Sequence, residues 1–197
     1  MLSKLLAFFA ISEDACNSET RVLKCIDRSL DLELVRSGLS LRGSLSINLA
    51  RLVPNPFAKD SELDEDALND LVATAVRMMD NVVDASKFPL EAQAQEARNK
   101  RRIGLGVTGL ADALLMVGLR YGSDEAAAQA DRWLKMVARA SYLASVELAK
   151  EKGAFPLFDA EPFLSSGNML QMDDDVRDAI RENGIRNALL TSIAPTG

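Results

Sequence analysis

Apolar residues recur at helical spacing along most of this chain, and only two stretches depart from that period. Leu68, Leu71, Val72, Ala75, Met78, Met79, Val82 and Val83 keep a 3.6-residue repeat to about Asp84, which predicts an amphipathic helix with one core-facing stripe. Ser61 is its expected N-cap, because Asp64 follows three residues later and Glu62, Asp64 and Glu65 put negative charge at the positive end of the macrodipole. Ahead of it, Pro54 and Pro56 lack amide hydrogens and restrict their neighbours, so residues 51–57 are expected to form an extended connector. After Pro89, residues 91–100 are polar and alanine-rich and predict a solvated helix.

The period then shortens. Ile103, Gly104, Leu105, Gly106 and Val107 alternate apolar residues with glycine, which predicts a short strand with one bare face and a helix entered at Thr108. Gly118 and Gly122 mark the next break, and Ser123 caps a helix expected to run to Lys152 and to stop at Gly153, with Lys150 and Lys152 opposing the negative pole. A loop with Pro156 and Pro162 follows, then a helix over 173–182 closed by Gly184, and a buried strand over 188–193 ending at Pro195. Leu71, Val82, Ile103, Leu105, Leu114 and Val146 are expected to be buried. This order of helices and few strands suits an α/β fold, a barrel or a layered sheet, with too few strands to close a barrel. Residues 1–43 contain no proline and a mixed helical pattern, with Val22, Cys25, Ile26, Ser29 and Leu30 near one face. They are left as a separate N-terminal segment of helical character with no assigned function. The apolar run from Leu5 to Ile11 is too short to span a bilayer, which takes about 20 residues, and it is followed by Glu13 and Asp14 without a small-x-small cleavage site, so a buried or amphipathic helix is expected there.

Composition narrows the chemistry. With 197 residues, 48% hydrophobic and 26% charged, the chain can build one sizeable core. Its net charge of −6 and scattered basic residues disfavour a nucleic-acid surface. The two cysteines, Cys16 and Cys25, form neither a C-x-x-C pair nor a disulfide framework, which fits a reducing, cytoplasmic compartment. Histidine is absent, so His-ligated metals and His-dependent nucleophile arrangements are excluded.

Four patterns are weighed for chemistry. Gly104, Gly106 and Gly109 spell G-x-G-x-x-G, but no strand with an acidic tip follows about 20 residues on, and close packing is the favoured role for these glycines. Asp173, Asp174 and Asp175 are consecutive and lack a glycine pivot, so a charged helix N-terminus is expected rather than a cation loop. Met78, Met79, Trp133, Met136 and Tyr142 read as core. The ending Ala194-Pro195-Thr196-Gly197 could present a hydroxyl and free amides to an anion, or be an ordinary strand-terminating turn.

Five blocks in order resemble the large subunit of the ribonucleotide reductases. Ser44-Leu45-Ser46-Ile47-Asn48-Leu49-Ala50-Arg51 is similar to the family's "LGSINLAR" block. Arg77-Met78-Met79-Asp80-Asn81-Val82-Val83-Asp84, followed by Phe88-Pro89-Leu90, is similar to its "DNVID" helix. The stretch from Arg101 to Leu115 is similar to "RPIGLGVxGLADAL", and those reading SVELAKEKGAFPLF from Ser145 and GIRNALLTSIAPTG from Gly184 complete the set. The resemblance implies a ten-stranded α/β barrel of which residues 44–197 form a helix-rich part, and a reaction in which a thiyl radical abstracts the ribose 3′-hydrogen and a cysteine pair supplies electrons. The "APTG" ending is closest to the adenosylcobalamin-dependent class, which generates its radical from that cofactor. It also implies that Ala194, Pro195, Thr196 and Gly197 begin the substrate phosphate loop, with a ribonucleotide as substrate, a thiol reductant such as thioredoxin as partner, and a homo-oligomer as one expected state.

The departures are equally specific. The family's N-x-C-x-E radical motif is absent, since Cys16 is flanked by Asp14 and Ser18 and Cys25 by Leu23 and Asp27. Arg42 stands where a reducing cysteine is usual, and residues 1–43 do not resemble the family. The expectation is a fragment of a radical enzyme with no catalytic residue and no metal site, inactive in isolation and holding no adenosylcobalamin itself. The competing expectation is a non-catalytic helical interaction module.

Overall fold

The computed structural model describes residues 30–31 and 43–193. Its elements are β1 (Leu30–Asp31), β2 (Gly43–Asn48), α1 (Glu65–Ala85), α2 (Glu91–Lys100), β3 (Ile103–Thr108), α3 (Leu110–Met116), α4 (Asp124–Lys152), α5 (Ala160–Leu164) and α6 (Asp174–Asn183), with 3-10 turns at Leu49–Leu52 and Met169–Gln171. Leu30, expected on a helical face, lies in a strand paired antiparallel with β2, opposite Ile47.

β2 and β3 pair in parallel from Gly43↔Ile103 to Asn48↔Thr108. Alternation sorts their side chains by face. Leu45, Ile47, Ile103 and Leu105 are buried in the core shared with α1 and α4, while Ser46, Asn48, Gly104 and Thr108 are half-buried on the other face. The apolar stripe of α1 buries Leu68, Leu71, Val72, Ala75, Val76, Met79 and Val83, and α4 adds Trp133, Val137, Tyr142, Val146 and Leu148. Of the expected core, Leu71, Ile103, Leu105, Leu114 and Val146 are buried and Val82 is only half-buried. Asp80 takes the stripe position between Val76 and Val83, which leaves Val82 on the flank. Met136 is half-buried as well.

Four local expectations are corrected. The connector begins as the 3-10 turn Leu49–Leu52, because the Asn48 side chain accepts from Ala50 N at 3.1 Å. Asp64, not Ser61, caps α1: its amide is tied to Leu52 O at 2.8 Å while Leu63 is buried, which holds residue 64 extended, and its side chain accepts from Ala67 N at 2.9 Å. The helix after β3 starts at Leu110 rather than Thr108, because pairing with Asn48 keeps Thr108 in the strand and Gly109 turns the chain at φ 64°. The last stretch is extended but not a regular buried strand. Leu190 is buried, Leu189 and Ile193 are exposed, and its one bridge joins Thr191 to Leu105 in parallel. The long helix capped by Ser123 and stopped by Gly153, and the helix closed by Gly184, form as expected.

Candidate functional site

Parallel strands present their carboxyl ends on one side. Here that side gathers Asn48 at the end of β2, Thr108 at the end of β3, and the segment passing through Ser192. The glycine run serves this junction by packing. A Cβ at Gly106 would lie 3.1 Å from Ser192 O and 3.3 Å from Ser46 Oγ, and one at Gly109 would lie 2.4 Å from Asn48 Oδ1. Both glycines therefore let neighbouring chains approach closely, and no nucleotide role is needed to account for them. Thr108 Oγ1 is buried without a partner among the described residues. Ala194, Pro195, Thr196 and Gly197, the sequence-derived substrate turn, lie outside the described residues, as do Cys16, Cys25 and Arg42.

Toward the amino end of β3, away from this rim, lies a buried polar cluster that periodicity alone did not reveal. Asp80 has no solvent exposure and Arg101 is 4% exposed. Arg101 closes α2 in the left-handed region at φ 47°, and this aims its guanidinium back at α1. Nε donates to Asp80 Oδ1 at 2.8 Å, Nη2 to Asp80 O at 3.0 Å and Nη1 to Asp84 Oδ1 at 2.7 Å. From α4, Lys152 Nζ reaches Asp80 Oδ2 at 3.3 Å and Asn81 Oδ1 at 2.7 Å. From the C-terminal segment, Arg186 Nε lies 3.4 Å from Asp80 Oδ2, and its Nη1 donates to the carbonyls of Lys152 and Gly153 at 3.1 Å each.

Asn187, fully buried, completes the cluster. Its Nδ2 donates to Asp80 Oδ1 and to Arg101 O at 3.1 Å each; its Oδ1 accepts from Ser145 Oγ at 2.9 Å, and its amide donates to the same Oγ at 3.1 Å. Burial alone would push the Asp80 carboxyl up, but Arg101, supported by Arg186 and Lys152, outweighs it and holds the group below the usual carboxylate range. Burial likewise opposes the charge on Arg101, and Asp84 and Asp80 overcome it to raise that group. A carboxylate held ionised and bonded on every side is an anchor rather than an acid or base. The sequence signal was available in Asp80 itself, a carboxylate on an apolar stripe, which must find a partner.

The Asp173–Asp175 cluster stands at the N-terminus of α6 as expected. Arg139 donates to Asp173 at 2.8 Å and bridges both oxygens of Asp175, and the hydrogen bond from Arg139 draws the exposed Asp175 carboxyl down to about 2. Among the described residues no group of three or more metal-ligating side chains is assembled, and no helix is long and apolar enough to cross a membrane.

Comparison with known proteins gives this arrangement a context. The family model described as ribonucleotide reductase, barrel domain, matches residues 45–197. The vitamin B12-dependent ribonucleoside-diphosphate reductase of Mycobacterium tuberculosis is 40% identical over 152 residues, covering 77% of this chain and 19% of the relative. That of Thermoplasma acidophilum is 35% identical over 152 residues, covering 77% of this chain and 17% of the relative. The ribonucleoside-diphosphate reductase large subunit of Variola virus is 27% identical over 205 residues, covering 95% of this chain and 26% of the relative, so that alignment takes in residues ahead of Ser44. The chain thus spans about a fifth of the length of the B12-dependent relatives it matches. With the matched barrel region covering three strand segments that run parallel and the helices packed behind them, the chain belongs to the ribonucleotide reductase family and carries part of its barrel domain.

Proposed function

We propose that this chain supplies part of the catalytic barrel of a reductase that converts ribonucleotides to deoxyribonucleotides by a thiyl-radical mechanism for DNA synthesis, and that it is a fragment without activity of its own. The observation that carries the reading is the common direction of β2, β3 and the segment through Thr191, whose carboxyl ends meet at Asn48, Thr108 and Ile193. In parallel α/β barrels substrates are met at that end. Ala194, Pro195, Thr196 and Gly197 follow directly in sequence and are the proposed first part of the substrate phosphate loop. Thr196 offers a hydroxyl donor, and Gly197 lets the backbone approach an oxyanion without a Cβ in the way.

The names of the two B12-dependent relatives support the adenosylcobalamin-dependent class for the intact enzyme. That cofactor would supply the radical. None of the described residues is assigned to it. The intact enzyme is proposed to take a ribonucleotide, to be re-reduced by a thiol partner such as thioredoxin, to assemble as a homo-oligomer and to work in the cytoplasm. Inactivity of the chain alone is argued from its cysteines, because neither Cys16 nor Cys25 stands in an N-x-C-x-E motif and a thiyl radical needs both its cysteine and a reducing pair.

Incubation with ribonucleoside diphosphates, adenosylcobalamin and a dithiol is expected to yield no deoxyribonucleotide above a no-protein control, and product above that control would overturn the claim of inactivity. A turn with two candidate donors is expected to hold a nucleotide weakly, with a Kd of about 1 mM or above, or roughly −4 kcal/mol. Calorimetric titration with cytidine diphosphate checks this. Micromolar binding unchanged by Thr196→Ala would move the site away from the turn.

A further inference from the structure

The segment after α6 runs beside β3 without a regular ladder. Ala188 N donates to Lys100 O at 3.0 Å, Ile103 N to Leu189 O at 2.9 Å, Leu105 N to Leu190 O at 2.7 Å and Ser192 N to Leu105 O at 3.0 Å. From Ile103 to Leu105 the strand advances two residues while its acceptors advance one, from Leu189 to Leu190. A ladder specifies register by stepping evenly on both strands, and this one does not. The alternation of side chains does not specify it either, since Leu189 and Ile193 are exposed and Leu190 alone is buried among the large apolar residues of the segment. Something outside the ladder must decide where the segment sits.

Immediately before this segment, Asn187 is bonded at every polar atom of its side chain and at its amide. Its partners lie on three other elements: Asp80 on α1, the Arg101 carbonyl at the end of α2, and Ser145 on α4. A shift of the segment by one residue would carry Asn187 out of this pocket and put Arg186 or Ala188 in its place. Ala188 offers no side-chain hydrogen bond, and Arg186 would bring a second cation against Arg101. Neither side chain offers an acceptor, so Ser145 Oγ would lose the Asn187 Oδ1 to which it donates, in a fully buried setting where an unmet polar group is costly.

We propose that Asn187 is a positioning residue that sets the register of residues 188–193 against β3, directly ahead in sequence of the residues proposed above as the start of the substrate phosphate loop. Its bearing on a ribonucleotide rests on the function proposed above, while the register assignment does not. Asp80 and Ser145 act through Asn187 by fixing its side chain from two helices that are themselves held in the core.

Hydrogen exchange on the full chain tests the assignment. The reporters are the amides of Ala188, Ile103, Leu105 and Ser192, and the controls are those of Val76 and Val146 in the helical core. In Asn187→Leu, which keeps bulk but removes the hydrogen bonds, the four reporters are expected to exchange about tenfold faster while the controls stay within about twofold. Should that variant fail to fold, Ser145→Ala provides the same readout, since alanine is favourable within a helix and only the hydroxyl that clamps Asn187 is lost. Unchanged reporters in the folded variant would overturn the proposal, as would equal acceleration of reporters and controls, which is general loosening. Titration of wild type and Thr196→Ala with cytidine diphosphate separates the two claims. If the reporters respond as expected but wild type and Thr196→Ala bind with the same micromolar affinity, the register assignment stands and the substrate turn falls.

Discussion

Asp80 has no exposure to solvent and faces three cations, Arg101, Lys152 and Arg186. Removing its charge would leave those cations without their shared counter-ion, and breaking a buried pair from one side is far more damaging than the net worth of the pair. Asp80→Asn is therefore expected to lower stability by about 3–5 kcal/mol in denaturant titration near neutral pH. The dependence on pH has a definite sign. Because the folded carboxyl lies below its ordinary value, its contribution is present in full above the unfolded pKa of about 3.9 and is lost as pH falls through the lower folded value. The gap between wild type and Asp80→Asn should thus close on acidification below about pH 4. A gap that persisted unchanged there would show that the loss came from packing and not from charge.

Elements were more legible than their junctions. The 29-residue helix α4 shows its cap, its acidic first turn and its terminal glycine openly in sequence, and it forms between Ser123 and Gly153 as expected. The start of α1 was misplaced because Ser61 and Asp64 both satisfy a capping pattern, and the choice between them is made by a bond from Asp64 to Leu52 that no local window contains. The same holds at Gly109, whose left-handed turn and contact with Asn48 depend on pairing across the sheet. Gly109→Ala should cost about 1–3 kcal/mol from backbone strain, with more if Asn48 cannot move aside. Leu114, buried on α3 with 2% exposure, should cost about 2–5 kcal/mol when truncated to alanine. Urea titration of both variants checks these values, and a loss below about half a kcal/mol for Leu114→Ala would mean that α3 is not packed as described.

At the scale of the whole molecule, the family and the α/β character were readable from five ordered blocks, and the match to the barrel domain over residues 45–197 agrees with them. The polar cluster was not readable, because its members lie on four separate stretches of chain and only Asp80 breaks a pattern. Asp80 and Asn187 are 107 positions apart, and Arg101 and Asn187 are 86. The parallel register carries a further consequence, one of time rather than of energy. β2 cannot meet β3 through a tight hairpin: the chain must first pass through α1 and α2, and the closing contact of Asn187 waits for α4 and α6 as well. Chains dominated by such distant pairings fold slowly, on the order of milliseconds to seconds, whereas helical pairs form in microseconds. Refolding followed by stopped-flow circular dichroism and by pulsed hydrogen exchange should therefore show helix signal gained ahead of protection at Ile103 and Leu105. During that interval the sheet edge and the Leu45 and Ile47 face stand open to other chains, so the refolding yield should fall as protein concentration rises.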